Sequence, residues 1–218
     1  MRDHLYFAIE GVIGVGKTSL ARLLQPVFSA ELLLEVFEEN PFLSNFYADR
    51  ARYAFQTQIF FLLSRYHQQR EAAPAALARG SLIADYTFAK DALFARLNLG
   101  GDELATYEQV HEALAEKIPP PHLVVYLRAD TEMLMRRIAM RDRPYERAIE
   151  EAYIAELGRA YDEFYLGRSS RGASACLTIE TNDLDFVGSS EDLAYVTGRI
   201  RAALGIGPYQ PALPLAAS

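Results

Sequence analysis

The stretch Gly11-Val12-Ile13-Gly14-Val15-Gly16-Lys17-Thr18 constrains this chain more than any other. An apolar run, Leu5-Tyr6-Phe7-Ala8-Ile9, precedes it, and Ser19-Leu20-Ala21-Arg22-Leu23-Leu24 follows with helical character. The order strand, glycine loop, helix is the setting that the G-x-x-x-x-G-K-[ST] pattern requires to cradle phosphate. Gly11, Gly14 and Gly16 let the backbone turn tightly, so that amides from Val15 to Ser19 converge on one anion. The helix adds the positive end of its dipole. Lys17 reaches terminal phosphates in such loops, and the Thr18 hydroxyl holds Mg²⁺.

A loop of this kind needs a parallel sheet beneath it, and the rest of the chain supplies one. Five apolar runs read as buried strands: Leu5–Ile9, Leu32–Leu34, Leu82–Ala84, Leu123–Leu127 and Cys176–Ile179. Segments of helical period separate them, which predicts an α/β fold with a five-stranded parallel sheet flanked by helices in three layers. The helices are expected at Lys17–Phe28, Asn45–Ala73, Lys90–Leu97, Asp102–Lys117, Thr131–Arg141, Ile149–Leu166 and Glu191–Leu204. Pro119-Pro120-Pro121 forces an extended connector into the fourth strand. Residues 1–204 are expected to form one domain, and 205–218, rich in Gly, Pro and Ala, a flexible tail.

Composition excludes several classes. The net charge of −7 leaves no broad basic field for nucleic acid. No apolar run approaches the ~20 residues of a membrane span, and Met1-Arg2-Asp3-His4 leaves no room for a signal peptide before the first strand. The single cysteine, Cys176, precludes an internal disulfide, suits a cytoplasmic location and reads as a packed strand residue. The four histidines show no zinc-ligand spacing.

Asp85 closes the third apolar run and Glu35 the second. Acids at the carboxyl ends of parallel strands face the crevice where such sheets bind ligands. Two of them beside one triphosphate suggest that one serves the metal and the other takes the proton of an attacking hydroxyl. Glu38 and Glu39 compete with Glu35 for the second role, and spacing alone does not choose between the three. On the long helix Gln58 and Arg65, seven apart, fall within about 20° of each other, and Tyr47 joins them if that helix is unbroken. Beside Phe55, Phe60, Phe61 and Leu62 this polar stripe suits a flat heterocycle. Arg137 and Arg141 share a helix face, and Arg143 follows. They are either cations neutralising a helix C-terminus or a mobile clamp on a transferring phosphoryl group.

Together these segments resemble the deoxynucleoside kinase family. The resemblance spans Leu5 to about Ile154 and rests on the loop, on Asn40-Pro41-Phe42-Leu43 with Phe46-Tyr47, on Tyr53-Ala54-Phe55-Gln56-Thr57-Gln58 with Ser64-Arg65, on Asp85 with Lys90-Asp91 and Leu93-Phe94-Ala95, and on Arg137-Ile138, Arg141-Asp142-Arg143 and Glu146. It implies a P-loop kinase fold with an arginine-rich lid (Arg137, Arg141, Arg143), ATP as phosphate donor and Mg²⁺ as cofactor. Glu35 would accept the proton of the nucleoside 5′-hydroxyl, and Asp85 would serve Mg²⁺. Tyr47 and Glu146 would hold the sugar 3′-hydroxyl, Gln58 would meet the base edge, and Arg65 with Asp91 would read the base. An Arg–Asp pair offers donors and acceptors that suit guanine. One position departs from many members: Tyr86 stands where they carry an arginine, as in the bacterial deoxyguanosine kinase branch, so Lys90 or Arg65 would have to replace that arginine at the reacting oxygen. The resemblance therefore implies a cytoplasmic homodimer that phosphorylates a purine deoxynucleoside, most simply deoxyguanosine, with adenine and cytosine left open. The rivals are a nucleoside monophosphate kinase, which needs an acceptor-side arginine clamp for which only Arg50 and Arg52 are at hand, and a nucleotide-binding subunit without activity.

Overall fold

The computed structural model describes residues 4–36, 40–167 and 174–207. The chain forms β1 (Tyr6–Glu10), α1 (Lys17–Phe28), β2 (Ala30–Leu33), α2 (Leu43–Ala48), α3 (Arg50–Arg79), β3 (Ser81–Ala84), α4 (Lys90–Asn98), α5 (Gly101–Ala115), β4 (Leu123–Arg128), α6 (Thr131–Arg141), a 3₁₀ turn (Pro144–Glu146), α7 (Glu151–Leu166), β5 (Ala175–Glu180) and α8 (Ser190–Ala203). The five strands make one parallel sheet in the order β2-β3-β1-β4-β5. This is the α/β architecture the apolar runs predict. Helices cover both faces of the sheet, so the inner strands are apolar on both sides, and Phe7, Ala8, Ile9, Ile83, Ala84, Val125 and Leu127 are fully enclosed. Strand order reverses at β1, which opens a crevice beyond the carboxyl ends of β1 and β3.

Three expectations need correction. The helix expected over Asn45–Ala73 is two helices, α2 and α3. Asp49 leaves the helical region (φ −148°, ψ 83°), and its side chain accepts the Arg52 N–H at 3.3 Å, capping α3. Tyr47 therefore stands on a different helix from Gln58 and Arg65. The helix also runs on through Pro74 to Arg79, because Pro74 lies on the exposed side, where water serves the carbonyl that loses its partner. Cys176 is exposed, since β5 is an edge strand with only β4 beside it. No helix among the described residues is long and apolar enough to cross a membrane.

Candidate active site

The loop between β1 and α1 is shaped by its glycines. Gly11 has φ +146°, and a Cβ there would stand 2.4 Å from the Leu127 carbonyl oxygen of β4. Gly14 has φ +90°, and its Cβ would meet Ile138 and the Leu134 carbonyl of α6 at under 3 Å. The loop is thus wedged between β4 and the helix that carries the arginine cluster, and only glycine fits either place. Lys17 donates to the Gly11 and Val12 carbonyls at 2.7 and 3.2 Å, which curls it over its own loop. Burial and the neighbouring Lys90 ammonium lower its pKa from 10.5 to about 8, against the pull of Glu10, Glu35 and Asp85.

The crevice holds a cavity of about 400 Å³ that begins at Gly11, Gly14, Gly16, Lys17, Thr18 and Ser19. It is also lined by Tyr47 from α2, by Thr57, Gln58, Phe61 and Arg65 from α3, and by Glu146 and Tyr153, while Tyr161 lines it close to Gly11, both bonding one oxygen of Glu10. Arg141 and Arg143 form its rim. Glu35, Asp85 and Lys90 line the middle.

Asp85 is buried and accepts the Thr18 hydroxyl at 2.5 Å and the Glu35 backbone N–H at 2.7 Å. Burial raises its pKa, helped by the Glu35 charge and opposed by the Thr18 hydrogen bond. A hydroxyl and a carboxylate oxygen side by side fit a hard cation that takes its other ligands from phosphates and water. Among the described residues no group of three His, Cys, Asp or Glu side chains could hold a metal.

Glu35 lies between two cations. Arg65 reaches one of its oxygens through Nε at 3.0 Å and also through a terminal guanidinium nitrogen, and Lys90 Nζ reaches the other at 2.6 Å. Burial pushes this carboxyl up, but Arg65 and Lys90 overcome that and hold it well below the usual carboxylate range. Arg65 is itself anchored from behind by an ion pair to Asp91, which is wholly buried on the first turn of α4. The guanidinium carbon packs 4.5 Å from the Phe61 ring centroid. Tyr86 turns away from the cavity. Its hydroxyl donates to Gln68 at 2.5 Å, and the Gln68 amide donates to the Leu34 carbonyl at 2.8 Å, which braces the residue before Glu35.

Most of the residues singled out in the sequence converge here. Gln58 and Arg65 share one buried wall, as their spacing predicts, and Tyr47 joins them from the separate helix α2. Glu146 is buried and pairs with Arg141 through two hydrogen bonds, Nε lying 2.7 Å from one oxygen, with Arg143 at 3.8 Å. Three residues stand apart from the cavity wall. Asp91 lies behind Arg65. Arg137 donates to the Thr181 hydroxyl and carbonyl at 3.1 and 2.6 Å, clasping the turn after β5. Val15 is buried against the core. Glu38 and Glu39 lie outside the described residues. Sequence reasoning missed Glu10, Thr57 and Tyr161. The signal for Glu10 was an acid ending an otherwise apolar strand.

A phosphate loop, a hydroxyl–carboxylate pair and a side-chain pocket occupy one crevice. The deoxynucleoside kinase family model matches residues 7–204. The chain belongs to the deoxynucleoside kinase family. It is 32% identical over 198 residues to a deoxyguanosine kinase of Bacillus subtilis (strain 168), covering 90% of this chain and 96% of that protein. A deoxyadenosine kinase of Dictyostelium discoideum is 35% identical over 164 residues, 73% of this chain and 66% of that protein. The solved structure of a deoxyadenosine kinase from M. mycoides with bound dATP superposes with a TM-score of 0.78 at 25% identity, covering 91% of this chain and all of the other. The enzyme is an ATP-dependent deoxynucleoside kinase with a P-loop kinase fold.

Proposed function

We propose that this kinase moves the γ-phosphoryl of ATP to the 5′-hydroxyl of deoxyguanosine, giving the 5′-monophosphate in a nucleotide salvage step. The observation that carries this reading is the position of Glu35 in the cavity: its backbone N–H bonds Asp85, which accepts the Thr18 hydroxyl of the phosphate loop, and its carboxylate bonds Arg65 of the Gln58–Arg65 wall. A nucleoside with its base against that wall presents its sugar to Glu35. Tyr47 and Glu146 take the 3′-hydroxyl, and crowding at C2′ favours deoxyribose.

Chemically, the chain's work is positioning and charge neutralisation. Lys17 leaves the loop carbonyls for the phosphates, where a triphosphate raises its pKa again. Arg141 and Arg143 gather the phosphates from the rim, while Arg137 braces the lid helix against the turn after β5. Thr18 and Asp85 would hold Mg²⁺, which would supply charge screening at the phosphates. Glu35 accepts the hydrogen bond of the 5′-hydroxyl and orients its oxygen towards the γ-phosphorus. Held so strongly ionised by Lys90 and Arg65, it takes the proton late, once the P–O bond is forming and the hydroxyl has become acidic. These two cations supply what an arginine at position 86 would have supplied. Gln58 and the Arg65 guanidinium meet the guanine edge, with Asp91 fixing Arg65 in place.

The enzyme works in the cytoplasm as a homodimer packed through α3 and α5, with residues 1–204 as the kinase domain. An acceptor panel tests the reading. Deoxyguanosine, deoxyadenosine, deoxycytidine, thymidine and deoxyguanosine monophosphate are compared by ATP consumption, with products identified by mass. Deoxyguanosine should give the highest kcat/KM. Preference for another nucleoside refutes the guanine assignment, and turnover of the monophosphate alone refutes the reaction.

A further inference from the structure

Glu10 is the last residue of β1 and is fully buried, one position before the phosphate loop. One carboxylate oxygen accepts the Thr87 N–H at 2.5 Å and the Thr87 hydroxyl at 2.8 Å. The other accepts the Gly11 N–H at 3.4 Å and the Tyr161 hydroxyl at 3.3 Å. Each oxygen thus meets one backbone N–H, which can only donate, and one hydroxyl, which can turn to suit.

The partners are telling. Gly11 opens the loop that ends in Lys17 and Thr18, and Thr87 stands two residues past Asp85. Backbone pairing between β1 and β3 runs only to Ala8 and Ala84. Beyond that point the two strands have no shared ladder, yet the Thr18 hydroxyl and the Asp85 carboxylate meet at 2.5 Å. The Glu10 side chain spans the place where the ladder stops. We propose that Glu10 is a positioning residue that fixes the Thr18–Asp85 pair for a metal-bound triphosphate. This rests on the metal role given to that pair under the proposed function.

Glutamine has the same shape but cannot do this work. Each Glu10 oxygen faces a backbone N–H, which cannot turn away. Either orientation of an amide sets its NH₂ group against one of them. Glu10→Asp keeps the charge and both acceptors but is one methylene short. Thr87→Val keeps the carboxylate and removes one donor.

Calorimetric titration of the full-length protein with ATP, in Mg²⁺ and in EDTA, separates metal positioning from loop folding. In the wild type Mg²⁺ should strengthen ATP binding. Glu10→Gln should lose about tenfold of that gain, the low end for groups that orient metal ligands. Its metal-free affinity should stay within about threefold, as expected when the loop amides are undisturbed. Glu10→Asp should recover part of the gain, and Thr87→Val should lose a smaller share of it. An undiminished Mg²⁺ gain in Glu10→Gln overturns the proposal. So does an equal loss with and without the metal, which would make Glu10 a support of the loop alone. If Glu10→Gln does not unfold cooperatively, Thr87→Val decides: a loss confined to the Mg²⁺ arm supports the proposal, and no such loss overturns it. Phosphate transfer to deoxyguanosine, measured in parallel, reports separately on the proposed reaction. A wild type that gains ATP affinity from Mg²⁺ but phosphorylates no nucleoside refutes that reaction and leaves the titration readable.

Discussion

The two ends of the cavity are built by opposite means. At the phosphate end, eight consecutive residues supply backbone amides, one lysine and one hydroxyl, and the glycines dictate their shape. At the acceptor end, side chains from α2, α3, α4, the loop after β2 and the turn after α6 meet, and ion pairs fix their geometry: Arg65 with Glu35 and Asp91, Lys90 with Glu35, Arg141 with Glu146. The first end presents a fixed dipole array to any triphosphate. The second is a set of buried charges whose arrangement depends on every member. Ligand choice should therefore be adjustable at the acceptor end and nearly untouchable at the phosphate end.

Substitutions can break that contrast, and Lys17→Met should have the largest effect. Removing the charge aimed at the phosphates should lower kcat/KM on the order of 10³-fold, with nucleoside affinity unchanged by direct titration. A comparable loss of nucleoside binding would mean that the two ends are not separable. Glu35→Gln should follow, with turnover down about 10²-fold or more while nucleoside still binds; retained turnover would move the proton-accepting role elsewhere.

Arg65→Met acts on the acceptor end alone. It strips a partner from Glu35 and leaves Asp91 buried without its cation, which should cost about 3–5 kcal/mol of stability. The double change Arg65→Met with Asp91→Ala should restore much of that in denaturant unfolding and shift preference away from purines. Unchanged base preference would refute the base-reading assignment.

The phosphate end carries a pH signature. The Lys17 pKa is lowered to about 8 without ligand, so its charged form is disfavoured by folding. That cost is fully present below pH 8 and fades as pH rises from there towards 10.5. Binding runs the other way, because a triphosphate needs the ammonium. The kcat/KM for ATP should fall about tenfold per pH unit above 8, and Lys17→Met should abolish that limb. Glu35 is held ionised well below its ordinary range, so it should add no acid limb between pH 5 and 7. Tyr47→Phe should give the smallest change. Losing one hydrogen bond, about 1 kcal/mol, should cost roughly fivefold in discrimination between deoxy- and dideoxynucleosides.

How legible each part was follows the same divide. The sequence bounds of α1 and α6 agree with the structure residue for residue, because a glycine loop precedes the first and Asp130, in extended backbone at the N-cap position, precedes the second. The Gln58–Arg65 wall was readable from a seven-residue spacing. The break at Asp49 was not, although an aspartate three residues before the N–H it caps is a sequence signal for a helix start. Cys176 looked like core because an edge strand and an inner strand share one composition, and only pairing tells them apart. Glu10 looked like the end of a strand, and its four donors come from positions up to 151 residues away.

Sequence alone determined the phosphate loop, the five strands and the family, since backbone conformation and strand period are set by neighbours in the chain. Only the tertiary structure decided that Glu35 sits between Arg65 and Lys90, that Asp91 stands behind Arg65 rather than in the pocket, and that Tyr86 turns inward to Gln68. Those outcomes follow from burying several charges in one place, where each must find a counter-charge or a hydrogen bond, and the partners come from whichever segments the sheet brings together.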